Sequence, residues 1–486
     1  MRLDDDLKYF EEPEFKEILA KYEAAREEGQ SVYMDADDLT DVAEYYTMVM
    51  HDDEKADEAI ELARQLHPDA VSPQVYVARQ FMQRGDLEMA LNLCNAIDDQ
   101  QDREVYFLRA ELFIRDEKTD EAVALLHQVA DEIHVDRDYF LYDTAYIFVD
   151  YRLYQQALSF ADLLEEMAPE WYKTWQVKAD ITLGQELYKD ALTYIEKMLD
   201  VDPFSTETWN WSAEAYSGLE QFDKAMSSIE YALAIEPDNE RALQLKAWTL
   251  LQQMHLEEAH RLYQQLERMA PENEQNWLYD SYCLLDSNLV GDALTAIEKA
   301  ELLADDVSPN QLAIYEQHAQ ILSAQGKLNE AIDYLTRAEE LGTDGDVSIQ
   351  DFDFLRARVY AENNRPDLVV SCIENMIHRE GANAIDIYYR GAQLFFDTGY
   401  YEMADEMFRE VLENDPESEK KGDIYAYLAY CAMEGHDDQT ALFNLKKAKE
   451  GGATNLIDLF GDIFPNVGVD ELYDYYFYRV FGRWPL

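Results

Sequence analysis

Apolar residues recur along most of the chain at the 3.6-residue spacing of amphipathic helices. One clear stretch contains Ala191, Leu192, Ile195, Met198 and Leu199, whose side chains would share one face of a helix. Polar and acidic residues fill the positions between such stretches. The pattern predicts a series of short helices, each burying one face.

A small residue recurs every 34 positions in the middle of the chain, and the series continues in both directions at spacings of 31 to 38 residues. A second small residue precedes each member by twelve positions. Small side chains at a crossing let two antiparallel helices approach to about 8 Å. The pattern predicts twelve helix pairs. Their small residues are Thr47 with Ala59, Ala78 with Ala90, Ala110 with Ala122, Ala145 with Ala157, Ala179 with Ala191, Ala213 with Ala225, Ala247 with Ala259, Ser281 with Ala293, Ala319 with Ala331, Ala357 with Val369, Ala392 with Ala404, and Ala429 with Ala441.

Prolines mark the ends of the central repeats. Pro169, Pro203, Pro237 and Pro271 stand 34 residues apart. Each follows the second helix of a predicted pair, where proline ends a helix without breaking its internal hydrogen bonds. The period is strictly 34 residues over 138–307.

One unit of the central region, 206–239, has a distinctive set of aromatic, small and proline positions. They are Trp209, Ala213, Tyr216, Phe222, Ala225, Ile229, Ala232 and Pro237. In these residues the unit resembles the tetratricopeptide repeat family, in particular long bacterial-type proteins with many repeats. The resemblance implies an all-α, right-handed solenoid whose first helices line a concave groove. It divides the chain into an N-terminal helical cap at 1–39, about twelve repeats at 40–455, and an aromatic C-terminal capping helix and tail at 456–486.

The C-terminal segment contains more aromatic residues than one helix face needs for packing. Residues 473–478 read Tyr-Asp-Tyr-Tyr-Phe-Tyr. A helix here would cover the apolar face of the last repeat, as the ends of a solenoid require. The same rings could instead form a surface for self-association, and both alternatives stay open.

Charge and cysteine content narrow the classes of partner and compartment. The 486 residues include 102 Asp and Glu against 40 Lys and Arg, a formal net charge of −62. Such a surface disfavours nucleic acid and anionic membranes as partners, although the charge could also serve solubility alone. The four cysteines form no C-x-x-C pair, and no apolar leader or membrane-spanning run is visible. We therefore expect a cytoplasmic protein.

Motifs for catalysis, cofactors or metals are missing from the sequence. It contains no H-E-x-x-H, G-x-S-x-G, P-loop or G-x-G-x-x-G pattern. Asp344, Asp346 and Ser348 have the spacing of a calcium loop, but Ile349 and Leu355 stand where an EF-hand needs glycine and glutamate. We expect no enzyme activity, no cofactor and no metal site.

The first helices carry aromatic rings and carboxylates at positions that resemble the groove positions of the family. Such a surface suits a polypeptide with apolar anchors and Lys or Arg, through burial, cation–π contact and charge pairing. We expect the segment to lie across the early and middle repeats. The predicted groove residues are Phe107, Tyr139, Tyr142, Tyr146, Asp180, Glu214, Trp248, Tyr282, Tyr389 and Tyr430.

Some members of the family bind acidic C-terminal peptides with a carboxylate clamp of Lys and Asn on the first helices. In this chain the fifth position of each repeat is never lysine and the ninth is never asparagine, where the small residue of the first helix is the eighth position. An acidic peptide bound in this way is therefore not expected. The leading hypothesis is a non-catalytic protein-interaction scaffold. The alternatives are a self-associating structural protein that forms a homo-oligomer through the tail, and a repeat-organised enzyme without a recognisable motif.

Overall fold

The fold is entirely α-helical wherever it is described. The computed structural model describes residues 9–10, 12–27, 33–304, 308–342, 349–379, 383–416, 418–465 and 467–484. These residues form 27 α-helices and one short 3-10 helix, and they contain no β-strand. The all-α prediction is confirmed, whereas the calcium-loop motif at 344–348 lies outside the described residues.

The chain divides into two compact units, Met1–Leu245 and Lys246–Leu486. Unit 1 begins with a helix that precedes the repeats, and its helices then come in antiparallel pairs. We call the first helix of each pair A and the second B. The helices are Pro13–Glu27, then pair 1 Ala36–Met48 and Asp53–Leu66, pair 2 Val71–Gln83 and Leu87–Ala96, pair 3 Arg103–Arg115 and Thr119–Glu132, pair 4 Arg137–Asp150 and Tyr154–Met167, pair 5 Tyr172–Gly184 and Tyr188–Val201, and pair 6 Thr206–Gly218 and Phe222–Ile235.

Unit 2 continues the same arrangement. Helix A of pair 7 contains the division between the units. Three short helical segments follow pair 12. The helices are pair 7 Glu240–Gln252 and Leu256–Met269, pair 8 Glu274–Asp286 and Val290–Leu303, pair 9 Gln311–Ala324 and Leu328–Gly342, pair 10 Ile349–Glu362 and Pro366–Ile377, pair 11 Ala384–Asp397 and Tyr401–Asn414, pair 12 Lys421–Glu434 and Asp438–Glu450, then Leu456–Phe460, Val469–Glu471 and Leu472–Phe481.

The predicted small residues lie at the helix crossings. In every pair other than pair 7, helix A packs on helix B, and within each unit helix B packs on the next helix A. All of the small residues except Thr47 are buried, with at most 2% of their surface exposed. Thr47 is half-buried, and its hydroxyl lies 2.6 Å from the Tyr76 hydroxyl. The count of twelve helix pairs is confirmed.

Every turn between helices A and B contains one residue in the left-handed region. In pair 6 this residue is Glu220, with φ of 57°. The next amide, that of Gln221, donates to the Tyr216 carbonyl at 2.9 Å, which closes the end of helix A. Only three of these residues are glycines. The twelve are His51, Gly85, Glu117, Arg152, Glu186, Glu220, Met254, Asn288, Gly326, Asn364, Gly399 and His436.

Tryptophan and proline join successive repeats at three junctions. The indole nitrogen of Trp209 donates to the Pro203 carbonyl at 2.9 Å. A side chain of helix A thus provides a hydrogen bond to a backbone carbonyl of the loop that precedes this helix. Trp175 and Trp277 make the same bond to the prolines six residues before them, at 2.8 and 3.2 Å. The 34-residue proline period therefore fixes the junctions through a side-chain hydrogen bond as well as by ending helices.

Candidate protein-binding surface

All ten predicted groove residues lie on A helices, but they differ in exposure. Phe107, Tyr142 and Tyr146 are buried, with 2 to 4% of their surface exposed. Tyr139 is exposed, and the remaining six are half-buried. The three buried rings are core residues here, so we do not carry them forward as contact residues for a partner.

In unit 1 a lysine of the chain itself covers the rings of pair 4. The Lys173 ammonium lies 4.3 Å from the centre of the Tyr142 ring and 5.7 Å from that of Tyr139. Tyr142 also donates to Gln176 Oε1 at 3.1 Å and packs edge-on against Tyr146 at 4.8 Å. Because Lys173 stands roughly one repeat after the rings, the side chains of pair 5 complete the surface of pair 4.

Three carboxylates on the A helices of unit 1 are paired internally. The Arg79 guanidinium lies 2.9 Å from Glu111 and 3.4 Å from Glu104. Arg241 lies 2.7 Å from Glu214, which is one of the predicted groove residues. These arginines already balance much of the charge that a basic partner was expected to meet in unit 1.

Unit 2 contains two aromatic–cation–carboxylate groups on its A helices. The Arg390 guanidinium lies 3.8 Å from the centre of the Phe354 ring and 3.1 Å from Asp351. In this group the cation lies between a ring face and an acid, both supplied by the preceding repeat.

The second group has the same composition. The Lys420 ammonium lies 4.2 Å from the centre of the Tyr389 ring and 4.0 Å from Asp386. Tyr389 is the one member of the two groups among the ten predicted groove residues, and sequence reasoning missed the cations. Their position roughly one repeat after each ring was the available signal.

Tyr282 and Glu316 are a third ring and carboxylate on the A helices of unit 2. In the described part of the chain, no lysine or arginine lies between them. Both are half-buried, on the neighbouring A helices of pairs 8 and 9. Burial raises the pKa of Glu316, and the charge of Asp351 raises it further. Burial, together with the charge of Glu316, raises the pKa of Tyr282 to about 12. A cation bound here would meet the Glu316 carboxylate, whose negative charge is poorly balanced by its neighbours.

The remaining unit 2 ring with described contacts, Tyr430, is part of an aromatic cluster. Its ring centre lies 5.0 Å from that of Phe396 and 5.7 Å from those of Tyr401 and Phe460. Such pairs stabilise packing between helices. Tyr430 is therefore held by its neighbours and presents only part of its surface, as does Trp248 on helix A of pair 7.

A partly buried acidic cluster lies between helix B of pair 7 and helix A of pair 8. His260 Nδ1 is 2.5 Å from Asp280 Oδ1, and only 3% of Asp280 is exposed. Burial raises the pKa of Glu267 to about 8, assisted by the charge of Asp280 and a hydrogen bond to it. Burial also raises the pKa of Asp280, although His260 opposes the change. The two carboxyl groups thus share a proton near neutral pH.

The described residues offer little for metal or thiol chemistry. They contain no group of three or more His, Cys, Asp or Glu side chains placed to hold a metal ion. Cys94, Cys283 and Cys431 are buried, and burial raises the pKa of both Cys283 and Cys431 to about 12. These two thiols are therefore protonated at neutral pH. No described helix is both long and apolar enough to cross a membrane.

Comparison with known families matches three segments of the chain. Tetratricopeptide repeat models match residues 218–279, 312–341 and 385–418. The second and third segments fall on pairs 9 and 11, and the first runs from helix B of pair 6 through pair 7 into helix A of pair 8. The chain therefore contains tetratricopeptide repeats. The repeats support a role as a protein–protein interaction scaffold, and proteins built from them are typically non-catalytic.

Solved structures that resemble this chain are distant in sequence. A tetratricopeptide repeat protein from Parabacteroides merdae has 15% identity and a TM-score of 0.44, and the match covers 53% of this chain and 98% of that one. Human IFIT1 has 14% identity and a TM-score of 0.46, with 87% and 96% covered. Cut9 in its complex with Hcn1 has 14% identity and a TM-score of 0.40, with 95% and 94% covered. No curated protein matches the chain.

Proposed function

We propose that this protein is a non-catalytic scaffold, and that the A helices of unit 2 bind a basic, partly apolar polypeptide segment. The observation that supports this most directly is the pair of aromatic–cation–carboxylate groups. The surface already holds Arg390 against Phe354 and Asp351, and Lys420 against Tyr389 and Asp386. A partner's Lys or Arg would use the same interactions.

Tyr282 and Glu316 are the proposed position for the partner's cation. Contact with the ring is worth about 0.5–2 kcal/mol, and a charge-assisted hydrogen bond to the carboxylate about 1.5–3 kcal/mol. The raised pKa of Glu316 supports the choice, because burial has removed water from this carboxylate and the described chain supplies no counter-charge. Neighbouring apolar side chains of the partner would pack beside the exposed parts of the rings.

This proposal places the bound segment elsewhere than the sequence analysis did. The sequence predicted the early and middle repeats, whereas the proposed surface lies in unit 2. In unit 1, Lys173 covers the pair 4 rings, and arginines pair with Glu104, Glu111 and Glu214. A basic segment would have to displace these cations before binding. Unit 2 requires no such displacement at Glu316.

The test is the affinity of a defined probe for matched variants. The probe is a fluorescein-labelled peptide of about 12 residues that alternates Lys and Leu and contains one Trp, with a second peptide carrying Glu in place of Lys. We expect Glu316→Gln to weaken binding of the basic peptide about tenfold, since one charge-assisted contact is lost. Tyr282→Leu should weaken it several-fold. The acidic peptide should not bind.

Two control variants separate a local site from general attraction to an acidic protein. Glu402→Gln removes the same charge from an exposed position on helix B of pair 11. Tyr231→Leu removes a tyrosine from helix B of pair 6, where 57% of the residue's surface is exposed. Both controls should change the affinity less than twofold. Equal losses for Glu316→Gln and Glu402→Gln would contradict the proposed site, because binding would then follow total charge.

A further inference from the structure

The C-terminal helix Leu472–Phe481 packs on pair 12 through one side only. Leu472 and Tyr476 are buried, with 4% and 5% of their surface exposed. The Tyr476 hydroxyl donates to Asp438 Oδ1 at 2.7 Å, which fixes the helix on helix B of pair 12. Tyr473 and Phe477 pack beside them, and the Tyr475 ring centre lies 5.8 Å from that of the buried Phe464. The ring surface that stays exposed after these contacts needs a separate explanation.

Four aromatic side chains form an exposed face on the other side. Tyr475, Tyr478 and Phe481 follow one another at three-residue spacing, and their exposed fractions are 40, 44 and 47%. Trp484 is 58% exposed and stacks on Tyr478, with 4.8 Å between ring centres and 20° between planes. We call these four residues the tail face. Continuous aromatic surface of this kind in water is typical of an interaction site.

The surroundings of the tail face differ in charge from the rest of the chain. Residues 438–484 contain seven Asp and Glu and five Lys and Arg, so they are almost neutral in a chain of net charge −62. Arg479 and Arg483 lie beside the four rings in the sequence, and both are exposed. The tail face therefore lacks the negative charge that keeps acidic surfaces apart elsewhere in the protein.

We infer that the tail face binds an acidic surface of a second copy of this chain in a head-to-tail contact. Charge complementarity favours this occupant, because residues 475–484 contain two arginines and no Asp or Glu, whereas the other repeats carry nearly all of the −62 charge and every copy presents them. One such surface is helix Asp53–Leu66, which exposes Asp53, Glu54, Asp57, Glu58 and Glu61.

A contact between two tail faces is disfavoured, because it would bring the arginines of both copies together. A head-to-tail contact uses two different surfaces, so each copy can bind one neighbour through its tail face and another through its acidic surface. The resulting assemblies grow with concentration beyond a dimer. This inference is independent of the proposed peptide binding by unit 2.

Sedimentation velocity of the full chain tests the inference over about 1–100 µM at low salt. The tail variant combines Tyr475→Ser, Tyr478→Ser and Phe481→Ser and leaves the buried Leu472 and Tyr476 unchanged. The wild type should form species larger than a dimer, whereas the tail variant should remain at the monomer mass of 56.6 kDa. A second variant, Tyr478→Ser with Trp484→Ser, changes only exposed rings and should weaken association at least tenfold.

The matched control replaces two exposed rings of unit 1, Phe204→Ser and Tyr231→Ser, which are 75% and 57% exposed. This control should associate like the wild type. A wild type that is monomeric throughout would overturn the inference, whatever other partner the tail face then binds. Tail variants that associate like the wild type would overturn it equally.

A capture experiment distinguishes the head-to-tail contact from a symmetric one. Immobilised tail variant keeps its acidic surface, so it should capture wild-type protein but not further tail variant. If the contact joined two tail faces, the immobilised variant would capture neither, and the head-to-tail assignment would be wrong.

Discussion

The acidic cluster of pairs 7 and 8 should make unit 2 less stable as the pH rises. Burial raises the pKa of Glu267 in the folded protein to about 8, against 4.5 for an ordinary glutamate. Below that ordinary value the group is protonated in both the folded and unfolded states. Between the two values the unfolded state loses the proton first, so the free energy of unfolding falls as the pH increases. Above about pH 8 this decrease in the free energy of unfolding is complete.

The size of the effect follows from the difference between the two pKa values. Each pKa unit corresponds to about 1.4 kcal/mol, which gives an upper limit of about 5 kcal/mol. Glu267 is only half-buried, and it shares its proton with Asp280. Solvent screening and this coupling both reduce the effect, so we expect about 2 kcal/mol.

Glu267→Gln isolates this contribution, because the amide can still donate to Asp280 but cannot ionise. The difference in Tm between variant and wild type should increase by about 4–8 °C from about pH 5 to pH 9, given the size of unit 2. Scanning calorimetry of both proteins across this range measures the difference. The overall charge repulsion is common to both proteins and largely cancels.

Glu402→Gln is the control, since it removes one carboxylate from an exposed position in the same unit. Its Tm difference from the wild type should stay nearly constant with pH. A difference for Glu267→Gln that is equally flat, or that decreases as the pH rises, would refute the shared-proton explanation of this cluster.

Three further predictions concern packing, backbone and charge. Ala213→Trp should destabilise unit 1 by about 1–3 kcal/mol, because Ala213 is fully buried at the pair 6 crossing, and an unchanged thermal melt would contradict this. Glu220→Gly should stabilise it by about 0.5–1 kcal/mol, since φ of 57° suits glycine, and a lower Tm would mean that the glutamate side chain matters more. Added NaCl up to about 0.15 M should raise Tm by screening the −62 charge, and a fall would indicate dominant ion pairs.

The repeat architecture could be predicted from sequence because small residues directly record where helices cross. Ala213 and Ala225 are both fully buried in pair 6, as their spacing indicated. The left-handed turn residues could not be found in this way. A glycine indicates such a turn at Gly85. Glutamate and methionine occupy the equivalent turns at Glu220 and Met254, where the local sequence gives no signal.

The candidate site was only partly predictable. Helical periodicity assigns a ring to a face, but it does not say whether the next repeat covers that ring. Tyr146 and Tyr282 each directly follow the small residue of helix A, yet Tyr146 is buried and Tyr282 is half-buried. Cations such as Lys173 and Arg390 reach their rings from the following repeat, so their role depends on the distance between helices.

The most direct test of the account is a double-mutant cycle between Glu316 and the cations of the basic peptide. Each lysine of the peptide is replaced in turn by alanine, and binding to wild type and to Glu316→Gln is measured by fluorescence anisotropy. If one lysine lies against Tyr282 and Glu316, its replacement and Glu316→Gln should show a coupling energy of about 1 kcal/mol or more. Additivity within about 0.3 kcal/mol for every lysine would contradict the assignment of this surface to a basic partner.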